Sequence, residues 1–128
     1  MKPDDWRFIL YIECDLLEEE IVARLFNLLP GAKKNGGAIE FKGHVLNLEI
    51  NSMYVEDFPR ENGGANWEHY KYEIHGFPVT SVDSILQKLV INEVEIAARQ
   101  LGFEFLLIAD CATETFEIQF PDFSFPKV

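Results

Sequence analysis

Apolar residues recur at three- and four-residue spacing from Thr80 to Gly102, and the chain can be arranged around that stretch. Val82, Ile85, Leu86, Leu89, Val90, Val94, Ala97, Ala98 and Leu101 make one broad face, with Gln87, Lys88, Asn92, Glu95, Arg99 and Gln100 mostly opposite. The pattern predicts a core helix roughly 30 Å long. Thr80 or Ser81 can cap its first turn, Asp83 suits the positive end of the helix dipole, and Gly102 can take the left-handed conformation that closes the last turn. A second helical stripe, Leu17, Ile21, Leu25 and Leu28, is widened by Val22, Phe26 and Leu29 and stops at Pro30-Gly31. Asp15 followed by Glu18 has the spacing of a capping box at its start, and Glu18, Glu19 and Glu20 sit where the dipole favours negative charge.

Elsewhere the period drops to two. In Trp6–Cys14 the residues Trp6, Phe8, Leu10, Ile12 and Cys14 alternate with a second set that includes Ile9 and Tyr11, as expected of a strand interior to a sheet. Lys33–Gly37 reads as a polar turn, followed by a hairpin of Ala38–Lys42 and His44–Tyr54 joined near Lys42-Gly43. Leu46, Leu48 and Ile50 define its dry side. Val55–Asn66, with a proline and two adjacent glycines, is the longest irregular segment expected. Trp67–His75 then reads as a strand ended by Gly76-Phe77-Pro78, with Tyr70, Tyr72 and Ile74 on one side. Phe103–Ala109 is apolar on both sides apart from Glu104, which suits a central or doubly covered strand. Thr115–Phe120 alternates again, and the tail 121–128 is expected to lie along the surface.

The expected fold is therefore α+β over a single domain, 1–128. Two helices pack on one face of a mainly antiparallel sheet of about five or six strands, in the order β-α-β-β-β-α-β-β. Right-handed crossovers make this a variant of the ferredoxin-like arrangement, with Trp6–Cys14 near the sheet centre.

Composition adds charge to this picture. Twenty-two acidic residues against 11 basic ones give a formal net charge of −11, a balance that opposes binding to nucleic acid or to an anionic membrane and favours a basic partner. The 48% hydrophobic content is too high for a disordered chain. The start, MKPDDWRFILYIECD, does not read as a secretory signal, so the expected location is cytoplasmic and Cys14 and Cys111 are expected as free thiols.

Candidate chemistry is sparse. His69 and His75 share a strand face but stand about 20 Å apart at strand rise, too far to ligate one ion, and His44 falls at a turn. All three are expected at the surface, with no metal site and no cofactor. Cys111 follows a strand end in the segment 109–111, and Asp15 and Asp110 would converge there if their strands were parallel neighbours. A helix cap for Asp15, a turn for Asp110 and a small apolar side chain for Cys111 are the preferred readings of these residues. Gly36-Gly37 and Gly63-Gly64 lack the context of a phosphate loop.

What remains is a surface pattern: Glu56, Asp57, Glu61 and Glu68 flank the aromatic residues Tyr54, Phe58, Trp67 and Tyr70 around the long loop. Aromatic anchors ringed by carboxylates suit a site for a basic protein. The sequence is accordingly read as a non-enzymatic protein-binding module, in its most specific form an immunity- or antitoxin-type inhibitor of a basic protein such as a nuclease toxin. That expectation rests on size, acidity and lack of chemistry, with no family motif behind it. The alternatives are a small enzyme using Cys111 or Asp110 in a pocket between sheet and loop, and a structural subunit whose exposed sheet face makes a homodimer.

Overall fold

The computed structural model describes residues 7–52, 70–79, 84–111 and 114–120. Strands β1 (Arg7–Glu13), β2 (Lys33–Asn35), β3 (Ala38–Phe41), β4 (His44–Ile50), β5 (Tyr72–Pro78), β6 (Glu104–Cys111) and β7 (Glu114–Phe120) join helices α1 (Glu18–Leu28) and α2 (Ser84–Leu101). The strands form one antiparallel sheet in the order β2-β3-β4-β5-β1-β6-β7. Within it β4-β5-β1-β6 is the ferredoxin-like core; β2 and β3 extend one edge and β7 the other. The α+β class with two helices on one face is as expected, and β1 lies inside the sheet. The strand count is higher, because the polar stretch expected as a turn pairs with β3 through Lys33↔Glu40 and Asn35↔Ala38.

The helix-side face is a dry core. Phe8, Leu10 and Ile12 of β1, Ile39 and Phe41 of β3, Leu46 of β4, Tyr72 and Ile74 of β5 and Phe105 and Leu107 of β6 meet Ile21 and Leu25 of α1 and Val90, Val94, Ala97 and Ala98 of α2. The β3–β4 turn is set by Lys42 and Gly43, both at positive φ (46° and 78°), the pair of left-handed residues a two-residue hairpin of type I′ requires. Gly102, at φ 80°, closes α2 as its sequence position predicts. Gly76 has a steric role: β5 runs through Gly76-Phe77-Pro78 instead of ending there, and the Phe8 ring lies where a Cβ on Gly76 would be. Glycine thus admits an aromatic ring onto the sheet opposite it, in register Phe8↔Gly76.

Both helices depart from the expected detail. The N-cap of α1 is Leu17, without a side-chain cap; its carbonyl accepts hydrogen bonds from the backbone N–H groups of Glu20 and Ile21. With Leu17 at the N-cap the Asp15–Glu18 capping box does not form; Leu17 faces solvent, and Leu29, at the other end of the helix, is buried in the core. On α2 the buried face is rotated: Ile85 and Leu89 are exposed, whereas Gln87 is fully buried. The cause is a polar pair. His44, expected at the surface, is 1% exposed, with Nε2 2.9 Å from the Gln87 side-chain oxygen and Nδ1 3.0 Å from the carbonyl oxygen of Lys42. The pair turns Gln87 inward and Ile85 and Leu89 outward, and it leaves the Gln87 Nε2 buried with no hydrogen-bond partner among the described residues.

The helix start at 80–83, Trp6, His69, the segment 53–69 and the tail 121–128 lie outside the described residues. Among the described residues no helix is long and apolar enough to cross a membrane.

Candidate functional site

Strand alternation gives the sheet a second face, opposite the helices, and its centre is apolar. Tyr11, Tyr70 and Leu106 are buried there with Ile9 and Ile108 packed against them, and the Tyr11 and Tyr70 ring centroids lie 6.3 Å apart. Tyr70, expected on the same side as Tyr72, belongs to this cluster instead, since the strand begins only at Tyr72. Around the apolar centre the same face is acidic. Glu40 on β3, Glu49 on β4, Glu73 on β5, Glu13 on β1, Glu104 and Asp110 on β6 and Glu117 on β7 alternate with the core positions of their strands.

Four of these carboxylates are neighbours by register, Glu13 with Glu104 and Glu49 with Glu73. Glu49 on β4 stands directly opposite Glu73 on β5, and Asn47 opposite His75. Like charges in that position repel, and an imidazole sits between them. The His75 Nε2–H donates to a Glu73 carboxylate oxygen at 2.9 Å, and the same nitrogen is 3.7 Å from a Glu49 oxygen. One ligand atom from each residue can be chosen so that all lie within 4.8 Å of one another. Glu49 and His75 also line a cavity of about 480 Å³ at the β1, β4 and β5 strand ends, with Arg7, Asn47, Phe77 and Pro78. Glu73 is the most enclosed of the three, at 17% side-chain exposure against 34% for His75 and 63% for Glu49.

No protein-family model matches the chain, and neither a curated protein nor a solved structure matches it. The site is therefore read from its own geometry.

The residues singled out in the sequence fare unequally. Tyr54, Glu56, Asp57, Phe58, Glu61, Trp67 and Glu68 lie outside the described residues, but the two ends of the segment that carries them do not. Asn51, buried, donates through its side chain to the carbonyl oxygen of Tyr70 at 2.9 Å and through its backbone N–H to that of Lys71 at 2.8 Å. The segment thus leaves and rejoins the sheet just beyond the Glu49↔Glu73 pair. Asp15 and Asp110 do not converge: β1 and β6 are antiparallel, which sets Asp110 opposite Arg7 and leaves Asp15 beyond the other end, past Glu13↔Glu104. Cys14 is a buried free thiol, and burial pushes its pKa up, the reverse of what a nucleophile needs. The Cys111 side chain lies outside the described residues.

The cluster Glu49, Glu73 and His75 was missed because its members are joined by the β4–β5 register across the long connection. Glu73 and His75, two apart on one strand, carried half the signal; Glu49 on the wet side of the hairpin carried the rest.

Proposed function

We propose that the chain is a non-catalytic acidic docking module that engages a basic protein partner on the sheet face turned away from the helices. The observation that supports this reading is the sidedness of the sheet. On that face every strand from β3 onward, and β1, contributes at least one Asp or Glu, against Arg7, Lys33 and Lys71 by the same alternation. Carboxylates arranged around an apolar centre steer a cationic partner and reject an anionic one. The predicted docking segment is rooted at the edge of this acidic field. The most specific form of the proposal is an immunity- or antitoxin-type inhibitor, whose acidic face covers the basic substrate site of a toxin such as a nuclease.

The test is co-purification from the native cell at low ionic strength. A basic protein should be retained, and its affinity should fall steeply as salt rises, because charges more than a Debye length apart (about 8 Å at physiological salt) are screened. Recovery of the chain alone would remove the proposal.

A second reading, a structural homo-oligomer, is supported by the exposed apolar residues Ile85, Leu89 and Ile96, which follow one another along the outer side of α2. It predicts an oligomer whose elution is independent of salt, and it uses the opposite side of the molecule.

A further inference from the structure

We infer that Glu49, Glu73 and His75 form a binding site for a first-row divalent metal ion, contrary to the absence of a metal site expected from the sequence. Three observations carry this. First, the ligand set is mixed and converges from two strands of a rigid sheet: one imidazole nitrogen and two carboxylates with donor atoms within 4.8 Å of one another. Around Zn²⁺, with bonds of about 2.0–2.2 Å, tetrahedral neighbours stand about 3.3–3.5 Å apart. The His75 nitrogen is already 2.9 Å from Glu73 and 3.7 Å from Glu49, so small side-chain rotations close the set. Second, the charge balances: two carboxylates set opposite each other repel, and a divalent cation neutralises both where a single imidazole compensates at most one. Third, the set has a closed and an open side. Glu73 is enclosed, whereas Glu49 and His75 border the cavity of about 480 Å³, which gives an ion an entry path and leaves a coordination position facing solvent.

Ligand chemistry selects the ion. An imidazole with two carboxylates suits Zn²⁺, Mn²⁺ or Fe²⁺, whereas Ca²⁺ takes six to eight oxygen ligands. The bound ion would displace the hydrogen that now joins His75 to Glu73.

The test is titration of the full chain with ZnCl₂ against a chromophoric chelator. The expected result is one Zn²⁺ per chain, with affinity falling at least tenfold in His75→Ala and in Glu73→Gln. The change Glu49→Gln, at an exposed position where folding is not at stake, should also weaken binding. Glu117→Gln, on the same face but outside the set, should leave it within twofold of the unaltered chain. Circular dichroism of each variant establishes that the fold is retained. Binding that persists undiminished in His75→Ala and Glu49→Gln would overturn the inference by assigning the ion to other ligands. No stoichiometric binding to the unaltered chain would overturn it too, leaving the three residues as an ion pair between an imidazole and two carboxylates.

Discussion

Beneath the helices Leu10, Val90, Val94 and Leu107 are wholly excluded from solvent, while on the other side of the same sheet Glu49, Asp110 and Glu117 are exposed. One strand often serves both sides: in β1, Leu10 points into the dry core and Tyr11 into the small cluster opposite. The comparison separates two jobs. Burial of apolar area on the helix side holds the fold, at about 25 cal/mol per Å² removed from water. Exposed charge on the other side contributes little to folding, since isolated surface charges and pairs are worth at most about 1 kcal/mol. The sequence of that side is therefore little constrained by folding.

Substitutions can break or sharpen this contrast. The largest effect is expected from Leu10→Ala, which empties part of a close-packed core and should cost about 3–4 kcal/mol in urea denaturation. Next is Gly76→Ala, where the new methyl meets the Phe8 ring; about 2–3 kcal/mol should be lost, and Phe8→Leu in the same chain should recover part of it. Additive losses in that double variant would show that the ring and the glycine are not coupled. Gln87→Ala strips the side-chain partner from the buried His44 nitrogen and should cost about 1–3 kcal/mol by thermal melts. A neutral result would mean that His44 does not depend on Gln87.

The alkaline limb of stability tests Cys14. A raised folded pKa means the thiol keeps its proton in the native state where the unfolded chain has lost it, so its contribution is intact below the ordinary thiol value of about 8.5. It is lost as pH rises through the folded value. The unaltered chain should therefore lose stability more steeply above about pH 9 than Cys14→Ala does. Smallest of all, Glu40→Gln and Glu117→Gln should change stability by no more than about 0.5 kcal/mol. A loss as large as that of Leu10→Ala would abolish the distinction between the faces.

The helix-side face was legible in the sequence because period and chemistry agree there. The stripes of Ile21 and Leu25 and of Val90, Val94, Ala97 and Leu101, the alternation of Phe8, Leu10 and Ile12, and the Lys42-Gly43 turn all report local geometry. Three kinds of feature were not legible. The edge strand β2 is polar and exposed along its length, so nothing in Lys33–Asn35 marks it as anything but a turn; only pairing with β3 reveals it. The rotation of α2 follows from a contact between Gln87 and His44 that are remote in sequence. The acid-imidazole cluster depends on the register of β4 against β5, which the long connection between them conceals. Local pattern sets each element's dry side, but non-local pairing decides which polar groups meet.

The central claim is that the sheet face away from the helices is the docking face, and a charge-neutralised variant measures it most directly. Glu40→Gln, Asp110→Asn and Glu117→Gln, combined in one chain, remove three of its carboxylates while leaving the core and the Glu49, Glu73 and His75 set untouched. Retention of the native basic partner should be compared at low ionic strength for this chain, the unaltered chain and a Leu89→Glu chain altered on the outer side of α2. The account predicts that the unaltered and Leu89→Glu chains hold the partner and the neutralised one loses it. Equal retention by the neutralised chain, or loss only on Leu89→Glu, would contradict it.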